Sequence, residues 1–236
     1  MSHHYIEFRH VSFQYPSGSK ALTDVSFRIT HGECVALVGA NGAGKSSLLQ
    51  LCCGLLLPTD GEIQIGGVIV EPKSLSRVRE QVGIVFQNPD DQLIMSTVEE
   101  EVAFGPSNMG YSEAEIARLT EQALAQTHTT HLRGRAPYNL SGGEKKSVAI
   151  ASVLAMEPSV IVMDEPSASL DPRARRLMME QVEQFCHTTL IASHDLPLVE
   201  RLCPRTLILH RGRLIADGAT LKLLANRALM EECELI

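Results

Sequence analysis

The feature that most constrains this chain of 236 residues is a glycine-rich stretch, GANGAGKS, at positions 39–46. It follows a short apolar run, residues 34–38, and precedes residues 46–53, whose pattern is helical and ends at Gly54. Glycines let consecutive backbone N–H groups converge on phosphate oxygens at the positive N-terminus of a helix. The pattern G-x-x-x-x-G-K-[ST] therefore predicts a phosphate-binding loop, against the alternative of a glycine-rich turn that binds nothing.

Each residue of this stretch has a predicted task. Lys45 adds a positive charge for the β- and γ-phosphates of a nucleotide, and the hydroxyl of Ser46 is a candidate ligand for Mg²⁺. The candidate nucleotide-binding residues are Gly39, Ala40, Asn41, Gly42, Ala43, Gly44, Lys45, Ser46 and Ser47.

An apolar run at residues 160–163 ends in two acids, Asp164 and Glu165. If the run is a strand of a parallel sheet, the acids lie at its carboxyl edge, beside the phosphate loop. Asp164 would then coordinate Mg²⁺, and Glu165 would act as the general base that polarises an attacking water. Such a run is common where a strand simply enters a loop, and only its combination with residues 39–46 favours the functional interpretation.

Two patterns of apolar residues predict the fold class. The alternating segments 11–15, 25–29 and 62–65 are typical of half-buried strands, whereas the continuous apolar runs 34–38, 82–86 and 160–163 indicate strands buried on both faces. Between Asn88 and Pro158 the pattern becomes helical, with S/T-x-x-E capping boxes at Thr97, Ser112 and Ser141. We predict one α/β domain, with a core at about 1–87 and 157–236 and an inserted helical subdomain at about 88–156.

The segment Leu140-Ser141-Gly142-Gly143-Glu144 distinguishes among the many proteins that carry a phosphate loop. It could be an ordinary capped helix, but two glycines there cost about 1 kcal/mol each relative to alanine, which makes sense where a backbone approaches a ligand closely. The segment resembles the signature of the ABC ATPases. That resemblance implies an ABC nucleotide-binding domain with an N-terminal antiparallel β subdomain, a mostly parallel core sheet and a helical subdomain. It also implies a signature that faces the ATP bound by a second subunit, and hence a dimer.

The remaining markers of that family occur in order along nearly the whole chain. The resemblance implies that Tyr15 stacks on adenine, that Gln87 reaches Mg²⁺, and that His194 contacts the γ-phosphate. It also implies a D-loop at the dimer interface, made of Ser169, Leu170 and Asp171. The implied catalytic residues are Glu165, His194 and Gln87, and the implied Mg²⁺ ligands are Ser46, Gln87 and Asp164.

The segments 86–93 and 97–106 are similar to those of the ATPases of energy-coupling-factor (ECF) importers, more of the cobalt/nickel type than of the vitamin type. One departure is Ser147, where those relatives commonly carry Arg. The resemblance implies a homodimer, with a heterodimer as the alternative. It also implies a transmembrane scaffold subunit and a substrate-binding membrane subunit as partners at the cytoplasmic face of the membrane. Uptake of a vitamin is the first alternative function, and an ABC protein acting on ribosomes or DNA is the second.

Composition limits the other functions. A formal net charge of −7 gives no reason to expect binding to nucleic acid or anionic lipid, and the start of the chain, residues 1–7, lacks the pattern of a signal peptide. The apolar run 48–57 is too short for a spanning segment, so we expect no direct membrane insertion. The six cysteines are expected to be reduced thiols, and His128 with His131 a solvated helix end rather than a metal site. A P-loop kinase would explain residues 39–46 but neither residues 140–144 nor His194.

Overall fold

A computed structural model describes residues 5–236; residues 1–4, part of the start that was compared with signal peptides, lie outside the described residues. Contacts divide the chain into two compact units. The first comprises the residues up to Val82, Ser159–Glu165 and Cys186–Ile236, and the second comprises Gly83–Pro158 and Pro166–Phe185.

The strands are β1 (Ile6–Gln14), β2 (Lys20–Ile29), β3 (Cys34–Val38), β4 (Asp60–Ile65), β5 (Val68–Ile69), β6 (Val82–Val85), β7 (Val160–Asp164), β8 (Thr188–Ala192), β9 (Arg205–His210) and β10 (Arg213–Ala219). The helices are α1 (Lys45–Cys52), α2 (Leu75–Gln81), α3 (Val98–Asn108), α4 (Glu113–Gln126), α5 (Gly142–Leu154), α6 (Pro172–Glu183), α7 (Leu196–Leu202), α8 (Thr220–Leu224) and α9 (Arg227–Glu232).

The first unit opens with an antiparallel sheet in the strand order β2-β1-β4-β5. Its strands bury one face: Ile6 and Phe8 of β1 are buried in alternation, and after a register shift between Phe8 and Val11 the alternation resumes with Val11 and Phe13 buried. Phe8 also stacks on Phe27 of the neighbouring strand, with ring centroids 4.6 Å apart. This is the N-terminal antiparallel subdomain that the resemblance implied.

The core sheet of the first unit follows the order β10-β9-β3-β8-β7, and its pairs are parallel except for β9 with β10. Val35–Val38 are fully buried, as expected for a strand covered on both faces. Because β3, β8 and β7 are parallel and in register, with both Leu37 and Asp164 opposite Ala192, their carboxyl ends share one edge. The mixed α/β fold class is confirmed.

The second unit is mainly helical. All three predicted capping boxes are present, at the N-termini of α3, α4 and α5, and Asp171 caps α6 with Pro172 at its first position. The contact grouping differs from the predicted division at residues 83–87, which fall in the second unit, and at α6, which also belongs there. The physical reason for α6 is close packing on α5, where Ala174 lies against Gly143, and a hydrogen bond from Gln181 to the carbonyl of Thr127 (2.8 Å).

Among residues 5–236, no helix combines the length and apolar character needed to cross a bilayer. The same part of the chain contains no group of three or more His, Cys, Asp or Glu side chains that could hold a metal ion. The six cysteines are free thiols, and the Sγ atoms of Cys34 and Cys203 lie 3.5 Å apart.

Candidate functional site

The loop after β3 can be built only with glycine at two of its positions. Gly44 has a φ of +106°, and a Cβ there would lie 2.5 Å from the carbonyl oxygen of Ala21. A Cβ on Gly39 would lie 2.4 Å from the carbonyl oxygen of Leu209. The backbone therefore packs closely on its neighbours before it enters α1, and residues 40–42 are left more accessible.

Lys45 is the first residue of α1 and only 7% exposed. Its ammonium group donates to the carbonyl oxygens of Gly39 (2.7 Å) and Ala40 (3.3 Å) and lies 3.9 Å from Oε1 of Glu165. A buried cation needs such partners because desolvation of an unpaired charge is costly. The charge is thus held directly over the loop where an anion would bind.

The two serines after Lys45 have different surroundings. Ser46 is exposed, whereas Ser47 is buried and its Oγ forms a 2.9 Å hydrogen bond with the hydroxyl of Tyr15. Tyr15 also meets Phe13 edge to face, with centroids 4.8 Å apart. This contact fixes Tyr15 beside the first turn of α1, and its stacking on adenine stays a prediction.

Glu165 is held in an unusual conformation at the end of β7. Its φ is +43°, a left-handed value that costs a non-glycine residue energy, and its N–H donates to the carbonyl of Ala192 (2.8 Å). The residue is 7% exposed, and Oε2 accepts hydrogen bonds from the hydroxyl of Ser193 and the N–H of His194, both at 3.2 Å. The carboxylate is therefore oriented from two sides.

His194 follows β8 and completes this group. Its Nδ1 lies 2.8 Å from Oε2 of Glu165, while its side chain is 68% exposed. The structure thus brings Lys45, Glu165 and His194 together, as the sequence predicted. Ser193 was missed; its signal was its position between a buried strand and His194, at the carboxyl edge of the sheet.

Asp164 is the last residue of β7, at the shared edge defined by Ala192. A hard divalent cation such as Mg²⁺ prefers oxygen ligands, and it usually keeps several waters. The hydroxyl of Ser46 and the carboxylate of Asp164 are donors of that kind within the first unit. The residues present therefore fit Mg²⁺, which would come with a nucleotide.

The second unit carries the Leu140–Glu144 segment at the start of α5. Ser141 is the N-cap: its hydroxyl and N–H donate to Oε2 of Glu144 at 2.7 and 2.8 Å. These bonds hold the pKa of the Glu144 carboxyl below its ordinary value. The first turn of α5 is thus locally fixed, with Ser141 and Gly142 exposed.

The two glycines of this segment have different explanations. A Cβ on Gly143 would lie 2.6 Å from the Cβ of Ala174 in α6, so close helix packing requires glycine there. Nothing lies within 4 Å of the corresponding position on Gly142. Close packing thus gives Gly143 a structural reason of its own, and the expectation that both glycines approach a ligand stays a prediction.

The residues before α6 form a sharp turn. Ser169 has a φ of +60°, Leu170 donates its N–H to the carbonyl of Ser167 (3.3 Å), and Asp171 accepts from the N–H groups of Arg173 and Ala174. A cavity of about 350 Å³ is lined by Ser141, Gly143 and Asp171 and, farther along α5 and α6, by Ser147 and Gln181. The structure therefore places the predicted signature and D-loop together in the second unit.

Gln87 lies in an exposed loop after β6, in the second unit. Its carbonyl oxygen, and that of Phe86, accept hydrogen bonds from the ammonium of Lys146 at 2.8 and 2.9 Å. Its predicted contact with Mg²⁺ stays a prediction. Lys146 was missed as a site residue because a lysine two places after the signature is usually read as surface charge.

Comparison with known proteins identifies the family of this chain. A family model described as ABC transporter matches residues 22–168. A putative ABC transporter ATP-binding protein of Geobacter sulfurreducens is 51% identical over 100% of this chain and 94% of the relative. This chain belongs to the ABC transporter ATP-binding family. An energy-coupling factor transporter ATP-binding protein of Methanothermobacter thermautotrophicus is 42% identical over 98% of this chain and 76% of its own length.

Solved structures of ABC ATPases agree with the fold. CbiO1 of Clostridium perfringens, described as part of the ABC transporter complex CbiONQ, aligns with a TM-score of 0.86 and 35% identity, over 98% of this chain and 94% of its own. A dimeric bacterial ABC transporter cassette aligns with a TM-score of 0.81 and 28% identity, over 91% of this chain and 98% of its own.

Membership of this family decides between the functional classes. An ABC ATPase binds and hydrolyses ATP as a dimer of cassettes and energises a transporter with transmembrane components. The kinase alternative is therefore wrong. A phosphate loop, a buried lysine and an oriented glutamate at one sheet edge are what such an ATPase requires.

Proposed function

We propose that this ABC ATPase is the motor of an ECF-type importer, and that the cargo is a transition-metal ion, cobalt or nickel. The observation that carries the proposal is the likeness to CbiO1 across 98% of the chain. The 42% identical ECF transporter ATP-binding protein and the similarity of residues 86–93 and 97–106 to that subgroup support it. A vitamin importer is the alternative, because the motor does not contact the cargo.

We assign the chemical step to the first unit. Residues 39–47 bind the phosphates through backbone N–H groups, and the ammonium of Lys45 leaves its loop carbonyls to pair with phosphate oxygens. Glu165 accepts a proton from the water whose oxygen attacks the γ-phosphorus as the bond to ADP breaks. His194 holds Oε2 of Glu165 in the free protein and is exposed enough to turn toward the γ-phosphate.

Ser46 and Asp164 would hold Mg²⁺, with Gln87 as the third proposed ligand. When bound with ATP, the ion neutralises charge on the β- and γ-phosphates. Removal of divalent cations with EDTA should abolish ATP hydrolysis, and added Mg²⁺ should restore it. Hydrolysis that persists in excess EDTA would contradict this assignment.

We further propose a homodimer with two composite sites. Each site takes Lys45, Asp164, Glu165 and His194 from one chain and Ser141 to Gly143 from the other. A homodimer requires every motif to be intact, and every one is intact here. A heterodimer with a different ATPase remains the alternative.

Mixing two inactive variants tests this pairing. Lys45→Ala and Ser141→Arg each disable both sites of a homodimer, whereas a mixed dimer has one doubly defective site and one intact site. Each mixed dimer should then trap ATP at one of its two sites, which is half of the wild-type occupancy per dimer. Wild type that traps ATP while the mixture does not would contradict the pairing, and wild type that dimerises only with another ATPase would establish the heterodimer.

Identification of the transported substrate requires the assembled membrane complex. We propose that the chain works at the cytoplasmic face of the membrane, bound to a transmembrane scaffold and a substrate-binding membrane subunit. The complex, purified with its native partners and reconstituted in vesicles with ATP on the side of the ATPase, should accumulate cobalt or nickel, and the Lys45→Ala complex should not. Accumulation of a vitamin instead would establish the alternative cargo.

We place the scaffold contact on residues 88–110, which follow Gln87. Asp90 and Asp91 lie there on a short turn, and Asp90 pairs with Lys145 at 2.6 Å while remaining largely exposed. Charge reversal at either aspartate should reduce co-purification with the scaffold while ATP binding by the isolated chain is unchanged. Unchanged assembly and transport in both variants would place the docking surface elsewhere.

A further inference from the structure

The segment 86–92, which we call the Q-loop, is attached to α5 by side chains rather than by regular backbone pairing. Gln92 donates to the carbonyl of Ala149 (2.8 Å) and to Oγ of Ser152 (3.1 Å), and its Oε1 accepts from the N–H of Phe86 (3.2 Å). Each of these contacts lies within the second unit. The loop is thus tied to the same helix that begins at the signature.

The strongest attachment is Lys146. Its side chain is 1% exposed, and its ammonium donates to the carbonyl oxygens of Phe86 and Gln87 at 2.9 and 2.8 Å. Hydrogen bonds to a charged donor are about twice as strong as neutral ones. A charge this deeply buried is also stable only where its partners stay in place. Lys146 therefore holds the carbonyls of both peptide units that flank the Gln87 α-carbon.

We propose that Lys146 is a positioning residue for Gln87: it fixes the backbone from which the Gln87 side chain projects. Through Lys146 and Gln92, the Q-loop and the signature helix form one block within the second unit. A movement of the signature on ATP-driven dimerisation then moves Gln87 with it. The inference rests on the proposed role of Gln87 and adds the residue that holds it.

Lys146→Met tests the proposal because it keeps the length and apolar stem of the side chain and removes the donors. Loss of a group that orients a metal ligand typically costs about 10–100-fold in activity or metal affinity. We expect ATP hydrolysis to fall by about 10-fold and the Mg²⁺ concentration for half-maximal hydrolysis to rise. Lys145→Met is the matched control for loss of one positive charge from α5: Lys145 meets the Q-loop at the exposed side chain of Asp90 (2.6 Å) and donates to neither carbonyl that flanks the Gln87 α-carbon, so its effect on Mg²⁺ dependence should be smaller.

A second readout needs neither ATP nor Mg²⁺. In nucleotide-free Lys146→Met, amide hydrogen exchange should become faster in residues 86–93 and stay unchanged in β3 of the first unit. Gln92→Met should produce the same local change without removing a charge, which covers the case in which Lys146→Met does not fold. Unchanged exchange of residues 86–93 in a folded Lys146→Met protein would overturn the proposal.

The double variant with Gln87→Ala separates the two roles. If Lys146 acts through Gln87, Lys146→Met should add little to the defect of Gln87→Ala. Additive defects would overturn the positioning role, as would a normal Lys146→Met protein beside a defective Gln87→Ala. If Gln87→Ala itself hydrolyses ATP normally, the proposed role of Gln87 fails, and the exchange measurement alone decides whether Lys146 holds the loop.

Discussion

The two units use buried lysines in opposite ways. In the first unit, Lys45 donates to carbonyls of its own phosphate loop and His194 contacts Glu165; we propose that a bound nucleotide replaces these contacts. In the second unit, Lys146 donates to two Q-loop carbonyls that no proposed ligand displaces. Under the proposed roles, one buried cation is kept for an anion, while the other fixes a loop. The predictions below test this contrast.

The largest expected effect is on the chemistry of the first unit. Glu165→Gln keeps the shape of the side chain and its hydrogen-bond acceptor for Ser193, but it loses the basicity. Mg-ATP should bind normally while hydrolysis slows by about 10²–10⁴-fold, the usual contribution of a general base. Single-turnover hydrolysis and ATP trapping measure the two quantities separately. Turnover near that of the wild type would show that another group is the general base, and His194 would be the next candidate.

A matched pair of substitutions tests the two glycines of the second unit. Gly143→Ala places a Cβ 2.6 Å from that of Ala174, so it should destabilise the protein by about 1–3 kcal/mol through overpacking. Gly142→Ala enters open space and should leave the free energy of unfolding unchanged or raise it by up to about 1 kcal/mol, the difference in helix propensity between glycine and alanine. Urea unfolding of both variants measures the difference.

The same pair separates packing from ligand contact. If the exposed backbone at Gly142 approaches the ATP of a second subunit, Gly142→Ala should impair ATP trapping although its stability is normal. If Gly142→Ala traps ATP normally and is not destabilised, glycine at this position is needed neither for packing nor for ligand contact. Equal stability of the two variants would contradict the packing explanation of Gly143.

Local patterns in the sequence predicted much of this molecule. The capping boxes at Thr97, Ser112 and Ser141 were found because each is complete within four residues. The phosphate loop and Asp164-Glu165 were placed at one edge because parallel strands share their carboxyl ends. Such signals depend on neighbours in sequence and on a few general rules of topology.

The parts that were not predicted depend on contacts between distant segments. Lys146 reaches carbonyls sixty and fifty-nine positions earlier, and no local pattern marks such a bond. The close approach of Gly143 to Ala174 likewise appears only when α5 and α6 are packed. The assignment of α6 to the second unit follows from that packing. It could not be predicted from the order of segments along the sequence.

The smallest expected effect concerns Ser147, at the position where the ECF relatives commonly carry Arg. Ser147 lines the cavity of about 350 Å³ beside Gln181, whose side chain is 5% exposed and whose Oε1 has no hydrogen-bond partner among the described residues. An unpaired buried acceptor costs about 1–3 kcal/mol, so a donor placed there should be stabilising. Ser147→Arg supplies volume and donors, but it removes the Oγ that accepts from Nε2 of Gln181 (3.2 Å) and costs up to about 2 kcal/mol of side-chain entropy.

We therefore expect a net gain of about 1 kcal/mol or less in Ser147→Arg, which corresponds to a rise in Tm of about 2–4 °C at most for a chain of this size. Ser147→Met is the control, because it fills the cavity without a donor and should give a smaller rise. An equal rise in both variants would show that volume, and not the acceptor of Gln181, limits the stability of this region. A fall in both would show that the hydrogen bond from Gln181 to Oγ of Ser147, which both variants lose, contributes more to stability than the added volume.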